Sequence, residues 1–200
     1  MNLLREYIRE LLAESIDPKI MSMIDGAESA GYRVKISDGR VSVYDPQIDV
    51  SRWPTKVNAK NKVAGVAWYS PGGPDFGPCL QASIVNASGA AEGLGPLAYD
   101  VAIETTGGLT SDRTEVSGAA EAVWNRYMTS RPDVTVDQLD IMDSYLEPQL
   151  TPDDISDDCE QVPAHDTLKG EWHTSALSKK YSKAGTPVMD ELRKRGMLDE

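Results

Sequence analysis

Residues 79 to 97 read Cys-Leu-Gln-Ala-Ser-Ile-Val-Asn-Ala-Ser-Gly-Ala-Ala-Glu-Gly-Leu-Gly-Pro-Leu, an apolar stretch followed by a glycine-bearing loop. The first eight residues predict a β-strand, and the spacing from Pro96 to Thr105 predicts a helix with Pro96 in its first turn. Gly93 and Gly95 lie in the loop between them. A strand, a loop and a helix in this order present unpaired backbone N–H groups at the positive end of the helix dipole, which favours a bound anion such as phosphate.

The glycine loop taken alone is more typical of a structural turn. The run Gly93-Leu94-Gly95 lacks the Lys of a P-loop and the spacing of a dinucleotide fingerprint. Phosphate binding therefore needs support from the rest of the chain.

The surrounding sequence alternates between strand and helix patterns, which indicates an α/β fold. The strongest local signal is a hairpin from Tyr32 to Tyr44 that turns at Asp38-Gly39. The other predicted elements are a helix from about Pro18 to Ala30, a strand from Lys62 to Ser70, a strand within Gly107 to Asp112, and helices at Val116–Thr129, Val134–Tyr145 and Pro187–Arg195.

The run from Ile84 to Leu97 resembles motif A of the GNAT acetyltransferases, in which a strand valine leads to Arg/Gln-x-x-Gly-x-Gly/Ala and a helix. Gly93 and Gly95 occupy the two small positions. Downstream, Ser117-x-x-Ala120-x-x-x-Trp124 is similar to the Asn-x-x-Ala-x-x-x-Tyr segment of that family. The resemblance spans about Lys62 to Arg131 and extends to uncharacterised phage GNAT-like proteins.

The resemblance implies a GNAT-like mixed sheet flanked by helices and an acetyl-CoA-dependent transfer of acetyl to an unknown amine acceptor. In the family, the loop amides bind the pyrophosphate of acetyl-CoA, and the strand before the loop splays from its neighbour to admit the pantetheine arm. The implied cofactor-binding residues here are Ile84, Val85, Gly93, Leu94, Gly95 and Pro96.

The chain departs from the family pattern at the loop and at the catalytic acid. Ala90 replaces the loop Arg or Gln, and Glu92 adds a negative charge. Trp124 stands where the family often has the tyrosine that protonates the leaving CoA thiolate, and an indole supplies no acidic proton of useful pKa. Tyr127, three residues on, is the substitute that we predict as the catalytic acid.

A general base is also needed to take a proton from an amine nucleophile. Asp112 is the predicted base, because it falls where a strand end faces a ligand crevice. Asp100, Glu104 and Glu115 are the other carboxylates nearby. For each of these acids, a solvated or helix-capping role is the alternative.

Asn2 to Ser15 has apolar residues at helical spacing and predicts an amphipathic helix. Its Leu12-Ala13-Glu14 resembles the end of the capsid-targeting leaders of tailed-phage internal head proteins, which are cut after the Glu. This resemblance implies an alternative function: a noncatalytic GNAT-fold virion protein, packaged through this helix and in contact with other virion proteins. A helix that simply packs on the domain is the other interpretation.

The formal charge of -12 is concentrated in one region, since eleven acidic residues and no Lys or Arg lie between Arg131 and Lys169. Three parts are therefore predicted: a leader helix at 1–17, a GNAT-like domain at 18–131 and an acidic C-terminal extension at 132–200 that ends in a helix. The acidic strip is read as a solvated loop, with a cation site, a basic partner or DNA mimicry as alternatives. Direct nucleic-acid binding and membrane binding are not expected.

The cysteines and histidines suggest no metal site. Cys79 and Cys159 lie far apart and are too few for a disulfide framework, and His165 and His173 have no metal-ligand spacing. The cysteine usage predicts a reducing cytoplasm. The phage resemblances imply that this is the host cytoplasm, or that the protein is carried in the virion. The basic run Lys179–Lys183 is expected to offset the acidic strip or to meet CoA phosphates.

Overall fold

The computed structural model describes residues 16–54, 63–70, 79, 81–89, 93–140 and 149–199. The predicted leader helix with its Leu12-Ala13-Glu14 motif lies outside the described residues, as do Ala90 and Glu92.

The described residues form an α/β fold with five α-helices, two 3-10 helices and eight strands. The helices are α1 (Pro18–Ser29), α2 (Gly95–Thr106), α3 (Gly118–Ser130), α4 (Val162–Leu168) and α5 (Pro187–Lys194), with 3-10 turns at Lys169–Thr174 and Ala176–Ser178. The strands are β1 (Arg33–Ser37), β2 (Arg40–Tyr44), β3 (Val63–Tyr69), β4 (Ser83–Gly89), β5 (Leu109–Thr110), β6 (Thr135–Gln138), β7 (Lys179–Ser182) and β8 (Leu198–Asp199).

All eight strands belong to one mixed sheet, in the order β6-β7-β5-β4-β3-β2-β1-β8. The β4–β5 and β1–β8 pairs are parallel. The remaining neighbours are antiparallel. The α/β class and the mixed sheet predicted from sequence are therefore confirmed.

The hairpin at the start of the sheet follows the sequence closely. Ser37 pairs with Arg40, so that the two turn residues are Asp38 and Gly39. Gly39 has a φ of 68°, a left-handed conformation that glycine adopts without a steric penalty.

Helix α2 occupies the centre of the main core. Nine of its twelve residues are buried, and it packs on β2 and β3 as well as on α1 and α5. It begins directly after Leu94 and ends at Gly107, whose φ of 71° completes the C-cap. Any polar side chain on this helix must therefore find a partner in the interior or face a cavity.

The predicted helix at Val134–Tyr145 is wrong for its first part, because residues 135–138 form β6. The residues of β6 pair in register with β7, and Asp137 lies opposite Lys180 with their charged atoms 3.2 Å apart. A long-range partner thus overrides the local helical pattern. Together with β8, these strands bring three segments of the predicted extension at 132–200 into the same sheet.

Candidate functional site

Strands β4 and β5 stay together for only two residue pairs. Ser83 pairs with Leu109 and Ile84 with Thr110. Strand β4 continues to Gly89, whereas β5 ends at Thr110. Among the described residues, no strand pairs with β4 beyond Ile84 on this side. The chain after β5 and residues 85–88 of β4 instead line the same cavity, so the two segments diverge there.

A β-bulge in β4 accompanies this divergence. Ala87 pairs with Ala67 of β3 and Val85 pairs with Trp68, which leaves Asn86 as an extra residue without a partner on β3. A bulge bends its strand and increases the local twist. The bend falls one residue beyond Val85, where β4 has already left β5.

A cavity of about 240 Å³ lies beside the divergent part of β4. Its walls come from β4, from the middle of α2, from the loop that follows β5 and from the first half of α3. The lining residues are Val85, Asn86, Ala87, Ser88, Tyr99, Asp112, Glu115, Val116, Ser117, Ala120 and Trp124. We call this cavity the β4 cleft.

Asp112 lies in the β4 cleft, as expected for the predicted base. Its Oδ1 accepts hydrogen bonds from the backbone N–H of Thr114 at 2.8 Å, from the Thr114 hydroxyl at 2.8 Å and from the N–H of Glu115 at 3.0 Å. Among the described residues, no hydrogen bond reaches Oδ2. Asp112 therefore caps its own loop through Oδ1.

The neighbouring Arg113 holds this loop in place from the interior. Its buried guanidinium donates to the carbonyl oxygens of Cys159 at 3.0 Å and Leu177 at 3.1 Å. The side-chain amide of Gln161 also donates to the Asp112 carbonyl at 3.1 Å. These contacts fix the backbone that carries Asp112 and Glu115, and a fixed backbone is a requirement for a precise site.

The predicted cofactor-binding residues do not share one cavity. Val85 lines the β4 cleft, but Ile84 points to the opposite side of the sheet and packs with Cys79, Leu139 and Cys159. This alternation follows from the two-residue period of a strand.

Gly93 and Leu94 line a second cavity, of about 470 Å³, next to α1. Lys19 and Ser22 of α1 lie on its wall. Gly95 and Pro96 form the first turn of α2, where Leu94 caps the helix with no side-chain hydrogen bond. The start of α2 and Lys19 thus border the same cavity, and an anion site there stays a prediction.

Tyr127, the predicted catalytic acid, lies in the interior and does not line the β4 cleft. It is 1% exposed and its hydroxyl donates to Oδ1 of Asp100 at 2.6 Å. Burial, reinforced by the Asp100 charge, raises the pKa of Tyr127 well above its ordinary value. Trp124, on the same helix, lines the cleft instead.

Asp100 is the centre of a buried charge network that sequence reasoning missed. Arg131 forms two hydrogen bonds with Asp100 and two with Asp133. Lys183 contacts Glu104 at 2.5 Å and Asp100 at 3.4 Å. Burial outweighs the neighbouring Lys183 charge and raises the pKa of Glu104.

This network corrects two expectations. Asp100 and Glu104 are neither solvated acids nor general bases facing a cleft, because their carboxylates are committed to buried cations and, for Glu104, to the N–H groups of Val188 and Met189. Lys183 likewise does not face a phosphate, whereas Lys180 does offset the acidic strip through Asp137.

The two cysteines, judged from sequence to be too few for a disulfide framework, are nevertheless bonded to each other. Cys79 and Cys159 form a disulfide with their Cα atoms 4.8 Å apart, although 80 positions separate them in the sequence. The bond ties the residues before β4 to the acidic segment. Ile84 and Leu139 cover it.

The part of the chain that the structure describes contains no cluster of three or more metal-ligating side chains. Within the same residues, no helix combines the length and the apolar character needed to cross a membrane. His165 and His173 flank the ring of Trp172 at 4.9 and 6.0 Å.

In comparisons with known proteins, no family model, no curated protein and no solved structure matches the chain.

Proposed function

We propose that the protein is an acetyl-CoA-dependent N-acetyltransferase that uses the β4 cleft to hold the acyl donor and transfers acetyl to an amine. The observation that carries the proposal is the divergence of β4 from β5 after two residue pairs. The resemblance of residues 84–97 to the GNAT motif implies such a divergence. An α/β sheet in general does not require one.

The residues of the cleft fit a pantetheine arm. Such an arm is an extended chain with two amide groups, and the edge of β4 beyond Ile84 offers backbone donors and acceptors that no described strand uses. Val85 and Trp124 supply apolar contact surface beside that edge. Tyr99 forms another part of the cavity wall.

The start of α2 fits the phosphate end of the same ligand. Gly93, Leu94 and Gly95 lead into the helix, and Lys19 lies across the adjacent cavity. The helix dipole and the lysine charge both favour an anion at this point. The negative net charge does not oppose this role, because eleven of the acids lie between Arg131 and Lys169.

Bound acetyl-CoA would supply an acetyl group that is activated as a thioester. Attack by the amine would form the C–N bond and break the C–S bond, and the CoA thiolate released would take up a proton from the solvent. The protein then has to orient the amine and accept its proton. Asp112 is our candidate for this task, since its Oδ1 is held by three donors and the residue lines the cleft. Glu115 lines the same cleft and is the second carboxylate within reach.

Isothermal titration calorimetry with CoA and with acetyl-CoA tests the proposal. We expect saturable binding by the wild-type protein and loss of binding in Ser88→Trp, which fills the cleft from an exposed position of β4. Ser130→Trp, at the exposed end of α3, is the matched control and should bind normally. Absence of binding at millimolar ligand in the wild-type protein would disprove the proposal.

A further inference from the structure

The Cys79–Cys159 disulfide lies behind the point at which β4 leaves β5. Cys79 precedes β4 in the chain, and both cysteines are 2% exposed. They pack with Ile84, the last residue of β4 that pairs with β5. Since Ile84 and Val85 point to opposite faces of the sheet, the disulfide and the β4 cleft lie on opposite sides of the same strand.

The segment that begins at Cys159 holds one wall of the cleft. We call residues 159–162 the strap and residues 111–117, between β5 and α3, the Asp112 loop. Four hydrogen bonds join the two: Arg113 Nη2 to the Cys159 carbonyl at 3.0 Å, Arg113 Nε to the Glu160 carbonyl at 3.1 Å, Gln161 Nε2 to the Asp112 carbonyl at 3.1 Å, and the Val162 N–H to the Arg113 carbonyl at 2.9 Å. Every residue of the strap thus helps to hold this loop.

Arg113 makes this attachment depend on the position of the strap. The residue is 1% exposed, and its guanidinium donates to four backbone carbonyls and to the Ser111 hydroxyl. No carboxylate among the described residues forms an ion pair with it. Two of the four carbonyls belong to the strap, so a shift of the strap would leave a buried cation without half of these acceptors.

The disulfide therefore connects the supports of the two walls of the β4 cleft. Cys79 leads into β4, which forms one wall, and Cys159 carries the strap that holds the Asp112 loop, which forms the other. Val85 of β4 and Asp112 line the cavity from these two walls. A covalent bond between the supports fixes their spacing, which is a requirement for a precise site.

We propose that the oxidation state of the Cys79–Cys159 pair controls the β4 cleft. The disulfide holds the Asp112 loop in a fixed position against β4, and reduction to two thiols releases the loop. The coupling between the bond and the loop stands on the contacts described above, whereas its effect on acetyl-CoA binding rests on the proposed function.

A dithiol is the class of reductant that fits this step. One of its thiolates attacks a sulfur of the disulfide and breaks the S–S bond, and its second thiolate displaces the other sulfur from the mixed disulfide. The dithiol becomes a cyclic disulfide, and its two protons end on the two cysteine thiols. A cavity of about 190 Å³ next to Cys79 is lined by three aspartates and one lysine, which favours a neutral dithiol over an anionic thiol.

Hydrogen–deuterium exchange of the ligand-free protein tests the coupling without reference to the function. The oxidised wild type is compared with wild type reduced by dithiothreitol and with Cys79→Ser/Cys159→Ser, and the thiol content of each sample is measured. Peptides that cover the Asp112 loop and the strap report on the proposed release. Peptides from the β1–β2 hairpin, residues 33–44, are the internal control.

We expect reduction to raise the exchange rates of the Asp112 loop and the strap about tenfold, because the hydrogen bonds between them open more often. The rates of the hairpin should stay the same. The double variant should show the raised rates with or without dithiothreitol. In calorimetry, the reduced protein should bind acetyl-CoA with a Kd about tenfold above that of the oxidised protein.

Several outcomes would overturn the proposal. Unchanged exchange of the Asp112 loop after both thiols have formed shows that the strap holds the loop without the bond. An equal rise in the loop and in the hairpin shows that the disulfide only stabilises the fold as a whole. Resistance of the folded protein to dithiothreitol removes the redox control, and an unchanged Kd beside faster loop exchange removes the control of the cleft.

Failure of the proposed function gives a different result. The oxidised protein would then bind neither CoA nor acetyl-CoA, while the exchange rates of the Asp112 loop would still respond to reduction.

Discussion

Arg131 donates two hydrogen bonds to Asp100, at 3.0 Å from Nη1 to Oδ1 and 2.6 Å from Nη2 to Oδ2. Neither side chain is exposed to solvent. The same guanidinium also meets Asp133 at 2.6 and 2.7 Å. One cation thus joins the middle of α2 to the residues that lead from α3 into β6. Loss of one partner from such a buried group leaves an uncompensated charge.

Arg131→Met should destabilise the protein by about 3–5 kcal/mol, because Asp100 and Asp133 would remain buried without their main cation. Urea-induced unfolding at pH 7 measures the change. Arg193→Met is the matched control, since Arg193 pairs with Asp190 on the exposed side of α5, and it should have a much smaller effect. Equal effects of the two substitutions would contradict the central role of Arg131.

Asp17 should make stability depend on pH at the acidic end. Its side chain caps α1 through the N–H groups of Lys19 and Ile20 and lies 2.8 Å from Arg126. Burial alone would raise the pKa of Asp17, but Arg131, the Ile20 N–H and Arg126 outweigh burial and lower it below the ordinary 3.8. The stabilisation is therefore present above pH 3.8 and is lost as the pH falls through the folded-state pKa.

Asp17→Asn keeps a capping oxygen and removes the charge, so we expect a loss of about 1 kcal/mol at pH 7. The difference from wild type should narrow as the pH falls below 4. Unfolding curves collected from pH 7 down to pH 3 measure this convergence. A constant difference across that range would show that the charge of Asp17 contributes nothing.

The Cys79–Cys159 disulfide should contribute about 2–4 kcal/mol, because it constrains a long loop in the unfolded chain. Addition of a reductant should lower the midpoint of urea unfolding by the corresponding amount. The double variant Cys79→Ser/Cys159→Ser provides the control, since its midpoint should not respond to the reductant. Two titratable thiols in the purified, folded wild-type protein would contradict the prediction.

Asp112→Asn should lower kcat of acetyl transfer by about 10²–10⁴-fold and leave the Kd for acetyl-CoA unchanged, because Asn accepts the same loop hydrogen bonds but takes no proton. Steady-state kinetics and calorimetry measure the two effects. Glu115→Gln tests the other cleft carboxylate and should reduce kcat less. The reverse ranking would assign the base to Glu115.

The local parts of the fold were predictable from the sequence. The hairpin turn at Asp38-Gly39, the strand β3 and the helix after Pro96 each carry their own signal in adjacent residues. The position of Asp112 between the end of β5 and the start of α3 also followed from local pattern, whereas its role as a base stays a prediction. These predictions depend on spacing within about ten residues.

The parts that depend on distant partners were not predictable. The sequence around residue 135 does not indicate that β7, more than forty residues later, will pair with it. The sequence around Asp100 likewise does not indicate that Arg131 and Lys183 will be its partners. Tyr99 was overlooked for the same reason, since only the packed structure places it on the wall of the β4 cleft. Tyr99 and Asp100 are adjacent polar residues within an otherwise apolar helical pattern. This pattern is the sequence signal that would have indicated both residues.

The strand order also affects how fast the protein is expected to fold. Strand β7 separates β5 from β6, and β8 pairs with β1, so that residues 179–199 complete both outer parts of the sheet. The hydrogen bond from Arg33 to Asp199 spans 166 positions. Such distant pairings cost loop entropy before they gain contacts, and proteins rich in them fold slowly. We therefore expect completion of the sheet to be slow, because the hairpin and β3 share it with strands that lie far away in the sequence.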